Sequence, residues 1–255
     1  MKTLHFISGL PRSGASLISD ILKQNPEFHC ENAGSLSGVF NLVNNNWDNT
    51  VTAHRRSMQS KSGTLAGLMQ GYYQHINCSI VFDNNLRWTS MIPSLEAVLQ
   101  KEIKILICVR NPAEILTSFE RSRKENPTVS FDVDTVLREK SSIASRAFYY
   151  AGPDGILGLT HRNIKDAIVM GYLDRMLFVD YNRFCSSPKS QTRRIYEFFN
   201  LPNFDHDFEN IEQVNPINLS IEKNSINKKT VNCVEYLGLE LYEQYNREIF
   251  WNPWV

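Results

Sequence analysis

The clearest chemistry in the chain lies in eight residues, Gly9-Leu10-Pro11-Arg12-Ser13-Gly14-Ala15-Ser16. Two glycines with four residues between them, after a short apolar run and before a helical pattern, form a loop that can wrap backbone N–H groups around an anion. A nucleoside triphosphatase places Lys directly after the second glycine and sets the next hydroxyl on Mg²⁺. Here the Lys position is Ala15, the hydroxyl is Ser16, and the loop's only cation is Arg12. Such a loop holds an anion but is poorly equipped for ATP hydrolysis. A ligand-free strand-to-helix turn is the plain alternative. A second anion-directed group follows in Cys108-Val109-Arg110-Asn111-Pro112, with Ser118 about two helical turns after Pro112. Arg offers a planar fork suited to phosphate, although pairing with Glu114 or Glu120 would be an ordinary surface ion pair.

The elements that must position these residues alternate between strands and helices. Leu4–Ser8 reads as a strand, followed by a helix from about Gly14 to Gln24 that Asn25-Pro26 ends. Thr64–His75 has a helical pattern, Ser79–Asp83 reads as a strand, and Ser90–Gln100 as a helix. Residues 104–109 are almost continuously apolar, as in a central parallel strand covered on both faces. Pro112 sits in the first turn of a helix to about Arg123, and a further helix is expected over Asp132–Tyr150. A strand at Met176–Asp180, a helix at Ser187–Phe199 and an amphipathic segment at about 234–250 complete the series. This order predicts an α/β fold, three layers α/β/α around a central parallel sheet. The polar, Asn-rich stretch of about 204–231 is expected to be a variable loop or lid within one domain spanning 1–255.

Composition narrows the function classes. The 27 basic and 27 acidic residues cancel, which argues against a general nucleic-acid or anionic-membrane binder but leaves room for a local basic pocket. Five Cys without C-x-x-C spacing suggest neither a disulfide framework nor a zinc site. No apolar run approaches the roughly 18 residues of a membrane span, and the N-terminal apolar segment is too short for a signal peptide. The expectation is a cytoplasmic protein with no metal.

Phe6-Ile7-Ser8-Gly9-Leu10-Pro11-Arg12-Ser13-Gly14-Ala15-Ser16-Leu17 resembles the 5′-phosphosulfate loop of the sulfotransferases that use 3′-phosphoadenosine-5′-phosphosulfate (PAPS). It is most similar to the bacterial and tyrosylprotein branches. The segment 109–122 resembles the family's 3′-phosphate motif, and residues 174–181 resemble its strand ending in Tyr-Glu or Tyr-Asp. Arg194–Pro202 is similar to a later family helix, so the resemblance covers about residues 4–210.

The resemblance implies a P-loop NTPase-like sulfotransferase fold. It also implies transfer of a sulfuryl group from PAPS to a hydroxyl or amine acceptor, releasing 3′-phosphoadenosine-5′-phosphate (PAP). Pro11, Arg12, Ser13, Gly14, Ala15 and Ser16 would hold the 5′-phosphosulfate, Arg110 and Ser118 the 3′-phosphate, and Tyr181 would line the adenine pocket. Arg12 would stabilise the leaving group. Glu31 is the leading candidate for the base, Asp83 the alternative, with His29, His54 and His161 behind them.

Two departures stand out. Ala15 replaces the usual hydroxyl residue, and Asp83-Asn84-Asn85 occupies the region where many relatives carry Lys, with Arg87 as a possible substitute. A P-loop nucleotide kinase and a catalytically weak PAP(S)-binding protein are the alternative readings. The acceptor is a small molecule, glycan or peptide.

Overall fold

A computed structural model describes residues 2–47, 58–125, 142–214, 220–226, 231–246 and 249–255. The chain begins with β1 (Thr3–Gly9), α1 (Ala15–Leu22), β2 (Phe28–Asn32), α2 (Leu36–Asn46), α3 (Met58–Tyr72) and β3 (Ile80–Asn84). A 3₁₀ turn (Trp88–Met91) leads into α4 (Ile92–Leu99), β4 (Ile105–Val109) and α5 (Pro112–Glu125). Then come α6 (Ile143–Ala151), α7 (Ile156–Val169), β5 (Met176–Asp180), α8 (Tyr181–Ser186) and α9 (Pro188–Phe199). The last elements are β6 (Ile211–Val214), β7 (Ile221–Asn224), α10 (Cys233–Leu237) and α11 (Leu239–Tyr245).

Five strands form one parallel sheet in the order β2-β3-β1-β4-β5. Alternation along each strand divides the core in two. Phe6, Val81, Ile105, Ile107 and Phe178 face the layer that includes α2, α3, α4 and α7. Ile7, Phe82, Leu106, Cys108 and Val179 face α1 and α9. All five residues of β4 are buried, which is why its sequence is apolar without a break. Parallel pairing brings every strand's C-terminal end to one edge of the sheet, where ligands of open α/β sheets bind.

The central elements agree with the sequence expectation, and several peripheral ones differ. β2 was not expected; its Phe28 and Cys30 point into the α1 core while His29 and Glu31 lie on the opposite face. The helix α7 was not expected either. Of the predicted helix over 132–150, residues 126–141 lie outside the described residues, and α6 occupies the remainder. The stretch 204–231 contains an antiparallel β6–β7 hairpin whose Ile211 is fully buried among Ile18, Ile21 and Phe28. The Gln24 amide accepts from Asp207 N at 2.8 Å and donates to Asp207 O at 2.7 Å, strapping this segment to α1. The C-terminal segment is not one helix, since Gly238, with φ +80°, separates α10 from α11.

Candidate active site

The phosphate-loop geometry follows from two glycines. Gly9 has φ +129°, and a Cβ there would lie 2.0 Å from the Cys108 carbonyl oxygen of the neighbouring strand. Gly14 has φ +88°, and a Cβ would meet the Tyr181 ring at 2.6 Å. Between them Arg12 itself adopts a left-handed conformation with φ +57°, which costs a non-glycine residue about 1–2 kcal/mol. From this strained backbone the side chain leaves the loop toward α5, with its guanidinium crowded by protein. The Ser13 hydroxyl is buried and donates to the Leu10 carbonyl at 2.6 Å, so it is engaged within the loop itself. Pro11 and Ala15 are buried loop walls, whereas Ser16 exposes its hydroxyl in the first turn of α1. The first N–H groups of that helix have no intrahelical acceptors.

The second motif folds onto the first. Arg12 Nε donates to Ser118 Oγ at 3.1 Å, and Arg110 Nη1 donates to the Arg12 carbonyl at 3.3 Å. Arg110 is held on its other side by Glu114, with Nε to Oε2 at 2.8 Å, and Glu114 accepts from the Asn182 amide at 2.9 Å. The Arg110 guanidinium also lies 4.2 Å from the centre of the Tyr181 ring. Tyr181 does not simply close a strand. It opens α8, because Asp180 caps that helix by accepting from Asn182 N and Arg183 N at 2.9 and 3.0 Å. Loop, strand end, helix and ring therefore form one connected wall.

Sequence reasoning overlooked Arg121, one turn beyond Ser118 on α5. The protein crowding the Arg12 guanidinium, followed by the charges of Arg121 and Arg110, pushes the Arg12 pKa down. Three arginines converging on one backbone loop, with Glu114 and Glu125 behind them, make an arrangement that a polyanion relieves. The i, i+3 spacing from Ser118 to Arg121 was the available signal.

The acid-base candidates line the β2–β3 edge. Glu31 pairs in register with Asp83, so the two carboxylates share a face of the sheet. Asp83 is fully buried, and both of its oxygens are engaged. Tyr73 donates its hydroxyl to Oδ2 at 2.5 Å and the Trp88 indole donates to Oδ1 at 2.7 Å. Burial pushes Asp83 up to about 6, against the lowering effect of these two donors. The alternative base candidate, Asp83, is thus shut away from solvent with a donor on each oxygen. Glu31 is one-third exposed and contacts His29 Nε2 through Oε2 at 3.2 Å.

His161 packs against Phe250 and Trp251 in the opposite region, and His54 lies outside the described residues. Where relatives carry Lys, Asn84 donates to Asn32 at 3.0 Å, Asn32 donates to Asp20 at 3.1 Å, and the exposed Arg87 reaches Gly38 of α2. Among the described residues, no group of three or more His, Cys, Asp or Glu could hold a metal ion, and no helix is long and apolar enough to cross a membrane.

The family model described as "Sulfotransferase domain" matches residues 2–238. The chain belongs to the sulfotransferase family. As a sulfotransferase, it moves a sulfuryl group from PAPS to an acceptor, without the Walker Lys that Ala15 replaces. Among solved structures, the chain is similar to the sulfotransferase domain of the Synechococcus PCC 7002 olefin synthase. The TM-score is 0.52 at 18% identity, covering 80% of this chain and 76% of that one. A sulfotransferase from Alicyclobacillus acidocaldarius gives 0.48 at 15%, covering 81% and 84%, and mouse sulfotransferase SULT7A1 complexed with PAP gives 0.46 at 14%, covering 80% and 61%. No curated protein matches by sequence. At 18% identity the first of these likenesses speaks for the fold alone, and the family match decides the membership.

Proposed function

We propose that this sulfotransferase holds PAPS along the wall from Ser16 to Tyr181 and uses Glu31 as the base for a hydroxyl acceptor. The observation that carries the reading is the contact of Arg12 with Ser118, because it joins the 5′- and 3′-phosphate motifs into a single anion site. The α1 N–H groups, Ser16 and Arg12 receive the 5′ end. Arg110, Ser118 and Arg121 receive the 3′-phosphate, and the Tyr181 ring flanks adenine. As the acceptor oxygen attacks sulfur, Glu31 takes its proton and the bond from sulfur to the bridging phosphate oxygen breaks. Arg12 meets the charge that gathers on that oxygen. The acceptor itself is a small molecule, glycan or peptide bearing a hydroxyl.

The test is PAP binding by calorimetry together with PAP release from PAPS. The acceptor panel comprises 4-nitrophenol, a monosaccharide and a tyrosine peptide. Arg110→Ala is expected to weaken PAP at least tenfold, and Glu31→Gln to abolish release while PAP still binds. Absence of PAP binding by the native protein sinks the reading. A second reading, a PAP(S) binder with little turnover, is favoured by one observation. The Asn84 amide is committed to Asn32 where relatives present a Lys. It predicts PAP binding with no release on any member of the panel.

A further inference from the structure

We propose that His29 is a positioning residue that clamps Glu31 against Gly34 and so sets the geometry of proton removal. The inference rests on the reading of Glu31 as the base and adds the device that aims it. On β2 the period-two alternation places His29 and Glu31 side by side on the sheet face away from α1. Imidazole Nε2 and carboxylate Oε2 lie 3.2 Å apart, which fixes one oxygen of Glu31. The other side of the carboxylate rests on bare backbone. A Cβ on Gly34 would stand 2.5 Å from Glu31 Cγ and 3.2 Å from Oε1. The imidazole is itself braced, its ring centre 5.8 Å from that of the fully buried Tyr73.

These contacts leave Oε1 as the proton-accepting atom and give the side chain little freedom to swing. That freedom matters, because a base misplaced by about 1 Å can lose on the order of a hundredfold in rate. The groups that face His29 are Glu31 on its own strand and Tyr73 just past the end of α3, whose hydroxyl is held by Asp83 and whose ring meets Tyr72. In the rest state the imidazole N–H donates to the carboxylate. Oε2 can accept from that N–H both before and after Oε1 takes the proton, so the same contact serves both halves of the cycle.

The experiment compares native protein with His29→Ala, His29→Gln, Gly34→Ala and Glu31→Gln. PAP release is followed with 4-nitrophenol as acceptor, or with water where the phenol is not used. His29→Ala and Gly34→Ala should each lower kcat about tenfold or more, with KM for PAPS and calorimetric PAP affinity unchanged. His29→Gln, which keeps a donor, should restore most of the rate.

His29→Ala with native kinetics overturns the proposal even if Glu31→Gln is dead. If His29→Gln is as slow as His29→Ala while both remain folded, the imidazole itself carries the proton, and the positioning role falls. Full activity in Glu31→Gln removes the base reading and this inference with it.

Discussion

Individual residues in this site are held by steric and electrostatic conditions that single substitutions can probe. Gly14 combines a left-handed backbone with a ring 2.6 Å from its missing Cβ. Gly14→Ala should therefore cost about 1–2 kcal/mol from backbone strain alone and also push Tyr181 off Arg110. Chemical denaturation reads the first effect and PAP calorimetry the second. Asp83 supplies a pH signature. Its folded pKa is raised from 3.8 to about 6, so between those values the folded state binds the proton more tightly than the unfolded one. This contribution to stability is present below the lower value and is lost as pH rises through the upper one. Relative to the native protein, Asp83→Asn should gain stability by about 3 kcal/mol between pH 3.5 and 7, read as a difference in Tm. A constant difference across that window refutes the account of Asp83.

At the scale of elements, α5 is the member that everything else must hold in place, because it carries Ser118 and Arg121. Its inner side is fixed by a buried, two-pronged ion pair: Arg146 of α6 donates to both oxygens of Glu120 at 2.7 Å. Removing one partner strands the other charge, so Arg146→Met should cost about 3–5 kcal/mol, with much of the loss recovered by adding Glu120→Leu. Denaturant midpoints of the two variants check this. The elements nearest the loop were legible in the sequence because their signals coincide. Gly9 and Gly14 mark a turn, and residues 105–109 are apolar enough to be central.

β2 was not legible because it is an edge strand with one polar face. His29, Glu31 and Asn32 disguise the alternation of Phe28 and Cys30. The β6–β7 hairpin was hidden similarly: only Ile211 is deeply buried, and β7 is exposed along its length. Had β2 been recognised, the i, i+2 pairing of His29 with Glu31 would have followed from strand geometry. The Arg12–Ser118 contact spans 106 residues and depends on tertiary structure that no local pattern encodes.

For the whole molecule, a formal charge of zero coexists with a local cluster of Arg12, Arg110 and Arg121. PAP binding should therefore weaken with salt through this cluster, with little long-range steering from the rest of the surface. Isothermal titration at 50 and 500 mM NaCl should show affinity falling severalfold, and Arg121→Ala should weaken binding and flatten that dependence. An unchanged salt slope in the variant would exclude Arg121 from the site.

The strand order has a consequence for biosynthesis. β1, which leads directly into the phosphate loop, lies between β3 and β4. Its partners emerge roughly 80 and 100 residues later, which at about 5–20 residues per second is on the order of 5–20 s of translation. Throughout that interval Phe6 and Ile7, both at most 1% exposed in the finished fold, have no sheet to enter. The nascent chain thus carries its future active-site strand as an unpaired, apolar segment until about residue 84 has been made, and with one edge still open until residue 109. A chaperone that binds short hydrophobic stretches would find its opening there.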